Sequence, residues 1–308
     1  MTTNEHHTNS ANGTHGTDRA DSTHGTRSTG GTVLVTSATG KTGRRVAALL
    51  TERGVPVRAG SRTPRSTDGA EGVAFDWASP ATWPGALRGV RAAQLSYYPD
   101  LSVPVAAEAL KLFGTTAADA GVERLVLLSG RGEPGAVAAE EALRSSGVDL
   151  TVVRGAFFAQ NFSEGLLRDA VRYGGIAFPA GDTPEPFVDT DDLAEMMVVA
   201  LTEEGHRGRI YEATGPRLLT FTQAAGELSL AAGHAVRYIP VSGEEFGRVL
   251  TGSGLPAEDV AWLTELCVGL MDGHNAATTE DVRAVLGRPP RDFAEFARRA
   301  AASGVWRP

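Results

Sequence analysis

Ser37, Gly40 and Gly43 stand three residues apart, after the apolar run Thr32-Val33-Leu34-Val35 and before the helical pattern Arg44 to Leu50. A strand, turn and helix start in that order is suited to a pyrophosphate. The first N–H groups of a helix are unpaired and lie at the positive end of its dipole, and glycines let the phosphates come close. The turn has the form G-x-x-G-x-x-G with serine in the first place. Ser37, Thr39, Gly40, Lys41, Thr42 and Gly43 are therefore the candidate dinucleotide contacts. The next strand, expected over residues 55–60, ends in Ser61-Arg62 about 20 residues past the turn, where a dinucleotide's ribose is held. An NAD site places a carboxylate there. This chain has Arg58, Ser61 and Arg62, whose charge and donors suit a 2′-phosphate, so the expected cofactor is NADP(H).

The elements that must position these residues follow a regular rhythm. Short apolar runs at residues 73–75, 92–96, 124–129 and 150–153 alternate with stretches at 101–120 and 136–146 that carry alanine and leucine at helical spacing. This predicts an α/β fold, a Rossmann-like doubly wound parallel sheet with its cofactor crevice at the carboxyl ends of the strands. From about Phe157 the pattern loosens. A helix beginning near Asp191, capped by Asp189 or Thr190, is followed by helices expected over 222–232, 243–250, 257–271 and 293–302. The expected organisation is a disordered tail over 1–31, an NADP-binding core over 32–156, and a region over 157–308 that completes the core and forms a smaller, mainly helical substrate lobe.

Composition bounds the partners. The 308 residues are 42% hydrophobic with a net charge of −8, enough for a sizeable core and a poor match to nucleic acid or an anionic membrane surface. No stretch approaches the roughly 20 apolar residues that span a bilayer. A single cysteine, Cys267, makes no internal disulfide and fits a reducing cytoplasm. The tail holds His6, His7, His15 and His24, but at irregular spacing and without other strong ligands, so no metal site is expected. A small-molecule substrate is the expected partner, and no feature points to a protein partner.

With the turn, the Arg62 strand tip and Val126-Leu127-Leu128-Ser129, the chain resembles the NmrA-like branch of the atypical short-chain dehydrogenase/reductases. Its pattern is closest to the ergot-alkaloid reductases of the festuclavine and agroclavine type. Phe75-Asp76-Trp77, Phe158 with Asn161-Phe162, Asp191-Asp192 and Asp292-Phe293-Ala294 also match. The resemblance implies that Thr39 through Gly43 face the pyrophosphate, Arg62 the 2′-phosphate, Asp76 and Trp77 the adenine, and Ser96 and Tyr97 the ribose and nicotinamide. Trp77 equally fits a core aromatic. Ser129 stands at the family's catalytic serine, and Tyr97 is a candidate proton donor that equally fits a packing role. Tyr98, Phe157, Phe158, Asn161, Met271 and His274 are candidate substrate contacts.

The resemblance breaks at catalysis. Typical short-chain reductases protonate the product with a tyrosine activated by a lysine four residues later, on the same helical face. The chain has only Lys41 and Lys111, preceded at that spacing by Ser37 and Ala107. The expected activity is NADPH-dependent reduction of a ketone or iminium in a specialised metabolite such as an aromatic polyketide or alkaloid, with the proton taken from substrate or water. The competing expectation is a non-catalytic NADP-binding redox sensor.

Overall fold

The computed structural model describes residues 31–67 and 69–307; the expected disorder of the tail and its histidines lie outside the described residues. The strands are β1 (Thr32–Val35), β2 (Val57–Ser61), β3 (Ala70–Ala74), β4 (Val90–Leu95), β5 (Arg124–Gly130), β6 (Asp149–Gly155), β7 (Gly175–Phe178), β8 (Ile210–Ala213) and β9 (Arg237–Pro240). The helices are α1 (Lys41–Glu52), α2 (Trp83–Leu87), α3 (Ala106–Asp119), α4 (Pro134–Arg144), α5 (Asn161–Glu164), α6 (Arg168–Tyr173), α7 (Thr190–Thr202), α8 (Phe221–Ala232), α9 (Gly243–Gly252), α10 (Ala257–Leu270), α11 (Asp281–Leu286) and α12 (Phe293–Ala302).

Seven strands form the main sheet in the order β3-β2-β1-β4-β5-β6-β8, parallel throughout. The central strands β4, β5 and β6 are buried along most of their length, as strands covered on both faces must be. Val46 and Leu50 of α1, Leu193 and Met197 of α7 and Val282 of α11 cover one face. Leu110 and Phe113 of α3 and Leu143 of α4, with Trp83, cover the other. Strand order reverses between β1 and β4, which opens the crevice that a Rossmann-like sheet offers to a dinucleotide.

The second half of the chain serves both layers. It sends α7, β8 and α11 to the main sheet and builds a lobe around Phe162, Phe178, Phe187, Phe221, Phe246 and Phe293. Phe178 and Phe221 stack there with ring centres 4.6 Å apart. The lobe is helical with one addition: β7 and β9 pair as a parallel two-stranded sheet, in segments too short for a strand period to show. Asp189, not Thr190, caps α7, its carboxylate accepting the Asp191 N–H at 2.9 Å.

Candidate active site

Immediately after β1 the chain turns with Ser37 at φ 49°, the left-handed region that favours glycine. Ser37 Oγ donates to the Ser96 carbonyl at 2.9 Å and the Ala38 N–H to the Gly60 carbonyl at 3.0 Å, which fixes the turn to both neighbouring strand tips. A Cβ on Gly43 would lie 2.4 Å from the Ser37 carbonyl oxygen, so the turn packs onto α1 only because this residue is glycine. No side chain caps α1 and its first turn holds no acid. Its leading N–H groups are thus left for an anion, and the cradle fits a pyrophosphate. The side chain of Lys41 turns elsewhere: its ammonium donates to Asn161 Oδ1 at 2.6 Å. Burial draws the Lys41 pKa below its ordinary value against the pull of Glu164, with Arg44 and Arg45 adding to the lowering.

Exposed Arg62 stands beside Ser61 at the tip of β2, its guanidinium 5.1 Å from the ring centre of Tyr98. Asp76 follows β3 half-buried, one oxygen accepting the Ala78 N–H at 3.1 Å. Two expectations are corrected here. Arg58 lies back from the tip and donates to Glu71 at 3.1 Å and to the carbonyls of Ala86 and Arg88 at 3.1 and 2.6 Å, so it clamps β2 to the end of α2. Trp77 is 6% exposed, donates its indole N–H to the Ser96 carbonyl at 2.8 Å, and packs with Phe75, Trp83 and Phe113. It supports the β4 tip from within the core rather than facing adenine.

From Lys41 a cavity of about 420 Å³ runs across the carboxyl ends of β4, β5 and β6 into the lobe. That volume suits a small organic molecule. Ser96, Tyr97, Ser129, Phe157, Phe158 and Asn161 line it from the sheet, and Met271 with Trp262, Leu263 and Leu266 of α10 from the lobe. Tyr98 and His274 do not. Consecutive residues past a strand point to opposite sides, so Tyr97 enters the cavity while Tyr98 is 60% exposed over Arg62. His274 pairs with Asp272 and reaches the Gly132 carbonyl at 3.1 Å, a clasp on the loop after β5.

The polar groups of the cavity are arranged unevenly. Tyr97 packs on Trp77 with ring centres 5.0 Å apart, and burial raises its phenol pKa. Ser129 Oγ donates to Glu140 Oε1 at 2.6 Å; Glu140 is 1% exposed and is held by Arg154 through bonds of 3.0 and 2.7 Å. The Ser129 proton is therefore directed at a carboxylate behind the wall and not at a ligand. Three acids outside the sequence expectations also line the cavity, Asp100, Glu133 and Glu185, and the last two are perturbed. Burial, assisted by the negative charges of Asp100 and Glu140, pushes Glu133 up to about 8. Burial likewise raises Glu185 to about 7, against the Phe157 N–H it accepts at 3.1 Å and the positive fields of Arg131 and His274.

No family model matches the chain. It is 32% identical over 286 residues to an NAD(P)H azoreductase of Xenophilus azovorans, covering 88% of this chain and 98% of the relative. Over 276 residues it is 28% identical to agroclavine dehydrogenase of Claviceps fusiformis, covering 86% of this chain and 96% of that one. Its fold matches a crystal structure of an NADPH-dependent quinone oxidoreductase of Escherichia coli complexed with NADPH, with a TM-score of 0.74, 25% identity, and coverage of 87% and 99%. The chain belongs to the NmrA-like branch of the atypical short-chain dehydrogenase/reductases. Identity does not favour the ergot-alkaloid relatives over the azoreductase. Within this NmrA-like site the place of a Tyr-x-x-x-Lys pair is empty of both residues, whereas carboxyl groups at 133 and 185 stand at the cavity. Glu133 precedes Pro134 and reads in sequence as an ordinary acidic helix start, which is why its part in the cavity was invisible there. Among the described residues no group of three or more His, Cys, Asp or Glu side chains could hold a metal ion, and no helix is long and apolar enough to cross a membrane.

Proposed function

We propose that this chain is an NADPH-dependent reductase that delivers hydride to a ketone or iminium carbon of a small specialised metabolite. That it is an oxidoreductase using NADP(H) follows from its family; the substrate class is the further step. One observation carries it. A single cavity joins the uncapped start of α1 and the tips of β4 and β5 to an apolar lobe, so a substrate seated against Phe157, Phe158 and Met271 meets the cofactor's reactive end.

In this reading the N–H groups of Thr39, Lys41, Thr42 and Gly43 hold the pyrophosphate while the Gly40 N–H closes the turn onto the Ser37 carbonyl at 2.8 Å, Ser61 and Arg62 hold the 2′-phosphate, and Asp76 accepts from adenine. Ser96 and Tyr97 lie along the ribose and nicotinamide. When bound, NADPH supplies the hydride. Phe157, Phe158 and the α10 side chains exclude water and orient the acceptor carbon, a contribution of positioning that grows in importance without the usual tyrosine. Ser129, its proton engaged by Glu140, offers an acceptor lone pair to the substrate.

The test is NADPH oxidation against aromatic ketones, cyclic iminium salts and quinones, followed by deuteride transfer from labelled cofactor. Deuterium in a ketone- or iminium-derived product supports the reading. Tight NADPH binding with no turnover in any class overturns it in favour of the redox sensor.

A further inference from the structure

We propose that Glu133 is the proton donor of this site, delivering its carboxyl proton to the heteroatom of a carbonyl substrate as hydride reaches the carbon. The inference rests on the reductase reading above. Glu133 occupies the N-cap position of α4, where an acid ordinarily turns its carboxylate onto the helix N–H groups; here no side-chain cap bond is made. The side chain folds back over β5 instead. A Cβ on Gly130 would lie 2.1 Å from both the Glu133 carboxyl carbon and Oε1, so the absence of a side chain at Gly130 makes the seat for this carboxyl, one residue beyond Ser129 on the cavity wall.

The groups around the seat keep a proton on it. Asp100, after β4, has its carboxylate fixed by the Ser102 N–H and Oγ, both at 2.9 Å, and contributes negative charge. Glu140 of α4 adds more, while Cys267 of α10 is a neutral thiol, pushed up to about 12 by burial. No hydrogen bond among the described residues stabilises ionised Glu133, and burial dominates its rise. Glu185 is the weaker choice, because the Phe157 N–H already occupies one of its oxygens.

The step balances. Hydride adds to the carbonyl carbon, the C=O π pair moves to oxygen, the Glu133 O–H bond breaks and its proton joins that oxygen. The carboxylate then takes a proton from solvent. Net consumption is one NADPH and one proton per ketone. An N-alkylated iminium needs no proton at the reacting atoms and bypasses Glu133.

The experiment compares wild type with Glu133→Gln and Gly130→Ala on one ketone and one N-alkylated iminium, with carbon-13 NMR of glutamate-labelled protein as the readout independent of turnover. Expected results are a ketone rate lowered about 10²–10⁴-fold in Glu133→Gln, an iminium rate and NADPH affinity within threefold, and a comparable ketone-selective loss in Gly130→Ala. The wild-type ketone rate should decline above pH about 8, with one glutamate resonance titrating in that range and absent from Glu133→Gln. A ketone rate retained within threefold in Glu133→Gln, or a Glu133 resonance titrating in the ordinary carboxylate range, overturns the donor role. Absence of any wild-type turnover overturns the reductase reading itself, and the donor role with it.

Discussion

Replacing Arg62 with alanine separates the two arginines that sequence treats alike. Arg62 is exposed at the β2 tip with its guanidinium against Tyr98, and among the described residues only that ring engages it. Hydrogen bonds to charged groups contribute about 1.5–3 kcal/mol, so losing the 2′-phosphate contact weakens NADPH binding about 10–150-fold. NADH, which lacks that phosphate, should stay within twofold. Because the site is exposed, the difference should shrink as salt rises. Arg58→Ala is the control. Its guanidinium serves the Ala86 and Arg88 carbonyls, so the variant should keep the NADPH:NADH preference and lose about 1–3 kcal/mol of stability. The assay is fluorescence titration of both cofactors into both variants, with urea denaturation alongside. A preference changed less than threefold in Arg62→Ala, or collapsed in Arg58→Ala, would refute the assignment.

Three further outcomes are expected. Gly43→Ala forces a Cβ to within 2.4 Å of the Ser37 carbonyl, displaces the turn from α1, and should weaken NADPH binding at least tenfold while the protein remains folded; calorimetric titration giving unchanged affinity would remove the close approach from the account. Arg154→Met strands the buried Glu140 carboxylate and should cost about 3–5 kcal/mol in denaturant unfolding, with Glu140→Leu/Arg154→Met recovering most of it; a loss under about 1 kcal/mol would show the pair to be dispensable. Glu185, 2% exposed, is raised from 4.5 to about 7 in the folded protein. Its sign is that of an acid stabilised in its protonated form: the contribution is present below pH 4.5 and lost as pH rises to 7. Relative to Glu185→Gln, the wild type should therefore lose on the order of 3 kcal/mol across that window, and parallel stability curves for the two proteins would refute it.

The legible parts of this molecule are local. The turn from Ser37 to Gly43 and the Ser61-Arg62 tip are short-range patterns, and the bounds 293–302 expected for α12 are those found, because Asp292 caps it and an amphipathic run follows. Arg58 and Arg62, four residues apart, would share one face by strand period, and what separates them is that Arg58 lies inside β2 against the end of α2 while Arg62 stands past the strand's last residue. Tyr97 and Tyr98 differ by alternation, one step apart in an extended chain. The β7–β9 pair joins segments some sixty residues apart, each of four residues, with no period long enough to register.

The acids of the cavity mark the deeper limit. Asp100, Glu133 and Glu185 come from three separate connections, and each is unremarkable where it stands in the sequence. Their chemistry arises from convergence: the lobe removes water, the like charges face one another, and Gly130 leaves a seat for one carboxyl. A motif search finds catalysis only where the reacting groups share an element, as a tyrosine and a lysine on one helical face do. Here α4 carries Glu140, which holds Ser129 from behind, and the proton-bearing group sits at the helix's entrance. A missing pair on a helix is thus weak evidence against catalysis when an apolar lobe can raise a carboxyl's pKa nearby, because desolvation does for a glutamic acid what a neighbouring lysine does for a tyrosine: it brings the donor's pKa toward neutrality, from below instead of from above.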